Sequence, residues 1–265
     1  MNNSFRNESS EFEYSKPSNR CKFNLVGSKH EDSECAPDVR QALKNALLAA
    51  LPPENLDWLM PHLKFEYVSF EMCLFNYGEK VDHVYFPTTA VIALLHLLAD
   101  GNTSEIAVVG HDGLLGISFL MDETALGSAM VQSSGYVYKI PVHVFKEACD
   151  RDCRVQRVIM RYLQRFIGQV AQNSTCCRHY SIDQQLSYWL LNRLDLLTGN
   201  ELKMTQATIA RMLGVRRESI TSAAHRLQQE GLIQHRRGSI TVLNRRGLEE
   251  YAGECYQETK LSGAT

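Results

Sequence analysis

The sequence predicts an α+β chain in three parts: an N-terminal β-roll of jelly-roll type, a long central helix, and a C-terminal winged helix-turn-helix. Three observations carry this reading. Short alternating apolar segments, punctuated by glycines at Gly78, Gly101, Gly110, Gly113 and Gly127, fill residues 65–140. An apolar stripe then recurs every three or four residues through Val155, Val158, Ile159, Tyr162, Phe166, Ile167 and Val170. Finally, two short amphipathic helices meet at Gly214 and are followed by two short β-like segments around Gly238.

Composition bounds the class before any motif does. The apolar share of 44% and the charged share of 22% are those of an ordinary globular protein. No apolar run reaches bilayer length, and the polar N-terminus has no signal core, so the expectation is a cytoplasmic protein without a membrane anchor. The eight cysteines (21, 35, 73, 149, 153, 176, 177 and 255) show no zinc-like CxxC pairs. Cys21 and Cys35 stand too far apart for an iron–sulfur site, and the rest read as reduced, buried thiols.

In chain order, residues 1–38 are polar and without period, which predicts a disordered tail. Leu43, Ala46, Leu47 and Leu51 give a helix that ends at Pro52-Pro53, and residues 54–60 give a second, stopped by Pro61. β-like segments follow at residues 65–70, 72–75, 84–86, 90–98, 104–109 and 135–140. A helix after Pro141 completes a first domain over residues 39–152. The stripe of Val155, Ile159, Tyr162, Phe166 and Val170 lies on a helix over residues 153–180. Its length and its place between two domains point to a parallel homodimer seam. A further helix over residues 182–197, with Leu186, Trp189, Leu190 and Leu194 on one face, opens a domain over residues 181–255. A flexible tail over residues 256–265 ends the chain.

The segment from Met204 to Arg246 holds eight arginines and two glutamates in a chain of formal charge −2. A phosphate-contacting surface concentrates positive charge in this way. Within it Ile220, Ala223, Ala224 and Leu227 face inward, while Arg217, Glu218, Thr221 and Ser222 face outward. The second helix of such a pair enters the DNA major groove.

The run Leu213-Gly-Val-Arg-Arg-Glu-Ser-Ile, together with Arg178-His-Tyr-Ser-Ile-Asp-Gln-Gln-Leu-Ser-Tyr-Trp-Leu-Leu and the order of elements, resembles a divergent branch of the Crp/Fnr transcription regulators. The resemblance covers about residues 40–250. It implies a cyclic-nucleotide-binding-like sensor domain, a homodimer, a pseudo-palindromic duplex operator and RNA polymerase as a further partner. It places Arg217 and Glu218 at the family's two base-reading positions, where Arg donates bidentately to guanine and Glu accepts from cytosine. Ser222 stands where many members carry an arginine, so the operator should differ from the best-known consensus. Arg216, Thr205, Gln206, Arg236 and Arg237 then read as contacts to the DNA backbone.

The ligand side departs from the family pattern. Its Gly-Glu pair is Gly113-Leu114 here, and its arginine position falls within Leu126-Gly127-Ser128-Ala129. No Arg or Lys lies between Gly101 and Val137, so a bound phosphate would lack a charge-assisted partner. Gly113, Leu114, Gly127 and Ser128 remain weak ligand candidates; the ligand is unknown, and classical cyclic AMP is disfavoured. Two other readings compete: a cupin-like enzyme or haem sensor, and an interaction module that never touches DNA. His83, His96, His111 and His143 form no His-x-His pair, though His83 or His96 stays open as a haem ligand. No phosphate loop, nucleophile elbow or paired carboxylate occurs. The expectation is a DNA-binding protein with neither a catalytic centre nor a metal site.

Overall fold

The structure, a computed structural model, describes residues 38–98, 103–121 and 123–257. The tail expected over residues 1–38 lies outside the described residues except for Asp38. That carboxylate caps the first helix, accepting from the Arg40 amide at 2.9 Å. The single helix expected next is two, α1 (Val39–Ala42) and α2 (Ala46–Ala49). Asn45 breaks it. Its Oδ1 caps the Leu47 and Leu48 amides while its Nδ2 donates to Pro87 O and Gly113 O, both at 2.8 Å. A continuous helix would carry this fully buried amide away from those carbonyls. α3 (Pro53–Leu59) follows, with prolines at its N-terminus.

The β-roll comprises β1 (Lys64–Val68), β2 (Cys73–Phe75), β3 (His83–Pro87), β4 (Val91–Leu97), β5 (Thr103–Val109), β6 (Ser128–Ser133) and β7 (Gly135–Pro141). They form two antiparallel sheets, ordered β1-β7-β3 and β2-β6-β4-β5. β6 has no counterpart among the expected segments. It lies between β2 and β4 with four consecutive buried residues, and such a strand shows no alternation to read. Val84, Phe86, Tyr138 and Ile140 fill the space between the β1-β7-β3 sheet and the helices.

α4 (Val142–Arg151) leads to α5 (Cys153–His179), the long helix the stripe predicts. Its seam needs correction. Val155, Ile159 and Tyr162 are buried inside this chain's own core with Phe145, Leu48 and Leu114, and Phe166 packs against the same cluster. A single apolar stripe hid the fact that the helix must first cover the β-roll. The side chains it leaves outward are Met160 and Ile167, 59% and 66% exposed, with Leu163 and Val170 beside them half-buried.

At Tyr180 the helix gives way to α6 (Ile182–Leu196), which Ser181 and Gln184 start with a reciprocal capping box. Next come β8 (Glu201–Leu202), α7 (Gln206–Leu213), α8 (Arg217–Gln229), the hairpin β9 (Ile233–Arg236) and β10 (Ser239–Val242), and α9 (Arg245–Ala252). The third sheet is ordered β8-β10-β9. The expected flexible tail begins too early: Cys255 and Tyr256 are both buried, and the Tyr256 hydroxyl bonds Asp195 Oδ2 at 2.8 Å. A lone aromatic anchored by its polar tip has no periodicity to announce it.

Asn45 generates a prediction. Asn45→Ala removes a cap and both carbonyl contacts and should cost about 2–4 kcal/mol. Asn45→Asp keeps the cap but turns an acceptor toward Pro87 O and Gly113 O, and should be no better. Urea denaturation with an unchanged midpoint for either variant would contradict this account.

Candidate nucleic-acid interface

The two helices of the C-terminal domain are set by local chemistry. Thr205 caps α7, its hydroxyl oxygen accepting from the Thr208 amide at 3.1 Å. Gly214 ends α7 at φ 65°, a left-handed conformation that glycine adopts without Cβ strain, and the Val215 amide closes back on Ala210 O at 3.0 Å. α8 then buries Ile220, Ala223, Ala224 and Leu227, and leaves Arg217, Glu218, Thr221 and Ser222 exposed, as the pattern predicts. The Thr221 hydroxyl lies 2.8 Å from Gln206 Oε1 and 3.1 Å from Arg217 O. Thr221 and Gln206 therefore brace the two helices against each other, a job their sequence positions did not reveal. Arg216 is the N-cap residue of α8 and makes no side-chain cap, so the first amides of that helix remain open to an anion.

Charge in this domain sorts into two sets. Arg226 bonds Asp183, Nε to Oδ2 at 2.6 Å; Arg245 pairs with Asp195 and Glu249; Arg246 pairs with Glu250 at 3.2 Å. Arg211, Arg216, Arg217, Arg236 and Arg237 are exposed and have no carboxylate partner among the described residues. The second set lies on α7, at the start of α8 and at the β9–β10 turn, the parts of a winged domain that meet a duplex. Arg211 is the member that sequence reasoning passed over; only the pairing of its neighbours distinguishes it.

Behind this surface the domain is fastened to the β-roll. Arg193 of α6 pairs with Glu105 of β5 and sits 3.2 Å from Gln132 Oε1, while Gln132 Nε2 donates to Glu105 at 2.8 Å. The two charged side chains are only 3% and 6% exposed. The guanidinium also stacks 3.9 Å over the Trp189 ring. Ala93, Leu95 and Met130 of the β-roll share one apolar cluster with Leu190, Leu194 and Met212.

The weak ligand candidates are committed to the chain's own packing. Leu114 is buried and its carbonyl accepts from the Tyr162 hydroxyl at 2.7 Å. A Cβ on Gly113 would lie 2.8 Å from the Tyr162 ring, and one on Gly127 would lie 2.9 Å from Leu95 O. Ser128 Oγ accepts from the Tyr77 amide at 3.0 Å. With no cation between Gly101 and Val137, and no room for a side chain at Gly127, these residues do not fit a cyclic phosphate. His83 lies on β3, where burial, and then the charge of Lys139, hold its imidazole below the ordinary range; His96 stands edge-on to Tyr77. Among the described residues no group of three or more His, Cys, Asp or Glu is arranged to hold a metal ion.

Comparison with known proteins agrees with the geometry. The family model described as "Cyclic nucleotide-binding domain" matches residues 71–152, and that described as "Crp-like helix-turn-helix domain" matches residues 184–251. The chain belongs to the Crp/Fnr family of transcriptional regulators. This Crp/Fnr chain is 20% identical over 200 residues to the cAMP-activated global transcriptional regulator CRP of Pasteurella multocida, covering 72% of itself and 96% of that protein. In fold it resembles FixK2 from Bradyrhizobium japonicum, with a TM-score of 0.63 at 16% identity over 71% of this chain and 96% of the other. A CRP-family transcriptional regulator from Thermus thermophilus gives 0.61 at 19% identity, over 71% and 97%. The regulator thus has a DNA-binding helix-turn-helix and a cyclic-nucleotide-binding-type sensory domain. Among its described residues no helix is long and apolar enough to cross a membrane.

The buried pair that joins the two domains of this Crp/Fnr regulator can be tested by removal. Arg193→Ala strands the Glu105 carboxylate in the interface and should cost about 3–5 kcal/mol. Replacing both partners with apolar residues should recover much of that loss. A thermal melt in which Arg193→Ala matches wild type would show that the pair does not hold the domains together.

Proposed function

We propose that this regulator acts in the cytoplasm as a homodimer whose two α8 helices enter successive major grooves of a pseudo-palindromic operator. Half-sites then lie about one helical turn, roughly 34–36 Å, apart. The observation that carries this reading is the sorting of charge within the C-terminal domain: among its described residues the arginines without a carboxylate partner are those on α7, at the start of α8 and on the wing. Arg217 and Glu218 read bases. Ser222 contributes a short hydroxyl, while Arg216, Arg236 and Arg237 contact phosphate. Thr205 and Gln206 present the α7 end to the same backbone, with Thr221 holding the register between the helices.

The dimer seam is the outward side of α5. Met160, Leu163, Ile167 and Val170 recur at the spacing of paired helices, and the first and third are largely exposed. The signal is something other than a classical cyclic nucleotide, unlike that of the cAMP-activated relative, because the stretch between Gly101 and Val137 offers a cyclic phosphate no cation and Gly127 has no room for a side chain that could supply one. RNA polymerase is the further partner expected of a regulator built in this way.

A gel-shift against genomic fragments at two salt concentrations tests the DNA reading. Arg217→Ala should erase the preference for one fragment, at about 1–3 kcal/mol. Arg236→Ala should weaken all fragments alike and reduce the salt slope by about one unit. Cyclic AMP added to the same titration should leave affinity unchanged. Wild-type selectivity in Arg217→Ala would reject the base-reading role.

Met160→Glu with Ile167→Glu should yield folded monomers in sedimentation, whereas Ile159→Glu should unfold the β-roll. An intact dimer in the double variant would remove the outward seam.

A further inference from the structure

The end of α5 carries adjacent thiols, and one of them meets a thiol from the far end of the chain. Cys176 is buried on α5, and Cys255 is buried on the turn that follows α9. One helical turn before Cys176, Gln172 Nε2 donates to Cys255 O at 3.0 Å, which fixes the C-terminal turn against that face of the helix. Cys176 and Cys255 belong to the same buried apolar cluster, 2% and 0% exposed. Between them in the chain lie the Tyr180–Ser181 break and every element of the DNA-binding domain.

We infer that Cys176 and Cys255 are a redox modification site, closing to a disulfide that ties the end of α5 to the last turn of the DNA-binding domain. The oxidant is a hydroperoxide. The sulfur of Cys176, which lines a surface pocket, takes an oxygen from it to become a sulfenic acid, and the peroxide leaves as an alcohol, or as water from hydrogen peroxide. The Cys255 sulfur then attacks the Cys176 sulfur, forming the S–S bond and releasing water. Two thiols lose two electrons and two protons; the peroxide accepts both. The effect is mechanical. A covalent tie across the Tyr180–Ser181 break holds the winged domain at a fixed angle to α5, the helix whose outward face forms the dimer seam.

The setting also determines how fast the site reacts. The neighbouring Cys255 thiol, then burial, hold the Cys176 thiol above the ordinary range. Oxidation therefore runs slowly at neutral pH and accelerates about tenfold per unit of rising pH while the thiolate is the minor form.

The test uses the full chain. Wild-type protein is treated with hydrogen peroxide at pH 7 and pH 8.5, alkylated, digested and mapped by mass spectrometry without reduction. The expected product links the peptide holding Cys176 to that holding Cys255, forms faster at the higher pH, and disappears with dithiothreitol. Cys177→Ser should still form it and Cys176→Ser should not. No link in wild type, or a link that persists in Cys176→Ser, overturns the assignment without reference to any variant of Cys255. The functional arm rests on the DNA-binding reading: operator affinity should shift at least about threefold on oxidation and return on reduction. A mapped disulfide with unchanged operator affinity overturns the regulatory role while leaving DNA binding intact.

Discussion

The short turn from Gly110 to Leu115 is where the N-terminal helices, the long helix and the DNA-binding domain meet, and the rest of the fold is arranged to hold it. Asn45 and Ala46 bind it from the N-terminal helices, through Gly113 O at 2.8 Å and His111 O at 2.7 Å. Tyr162 binds it from the long helix, through Leu114 O at 2.7 Å. Leu196 of the DNA-binding domain packs on Gly110, closely enough that a Cβ there would meet it at 2.9 Å. Backbone carbonyls at such a junction must be paired, and here the partners come from the start of α2 and from α5. The turn thus ties the N-terminal helices, α5 and the winged domain to one stretch of backbone.

The arginines show the same economy. In α6, α8 and α9 a guanidinium facing a carboxylate fixes the domain's shape: Arg193 with Glu105, Arg226 with Asp183, Arg245 with Asp195. The more exposed pairs, those of Arg226 and Arg245, contribute little stability, yet they remove positive charge from the surface. What remains unpaired defines the face offered to a polyanion. The structure separates binding charge from structural charge by partner, where a count along the sequence gives only their sum.

Much of this was legible in the residues. Gly214, the Ile220–Leu227 inward face and the outward Arg217 and Glu218 follow from helical spacing, and the structure keeps each of them. The long helix was legible too, but its orientation was not. Val155, Ile159 and Tyr162 form the denser half of the stripe, and that half serves the chain's own core, leaving Met160 and Ile167 outward. Periodicity reports that a face is apolar and is silent about what covers it. β6 and Tyr256 escaped for a related reason, since a strand buried on both sides and an isolated anchored ring carry no period at all. The break at Asn45 depends on two carbonyls remote in sequence.

The crowding at Gly127 has an evolutionary corollary. The Leu95 carbonyl that fills the space belongs to β4, whose Leu95 is paired on one side with Ser128 and on the other with Glu105. A codon change writing arginine at 127 would push on the strand that positions Glu105, and so on the anchor of the DNA-binding domain, before it could furnish a phosphate with a counter-charge.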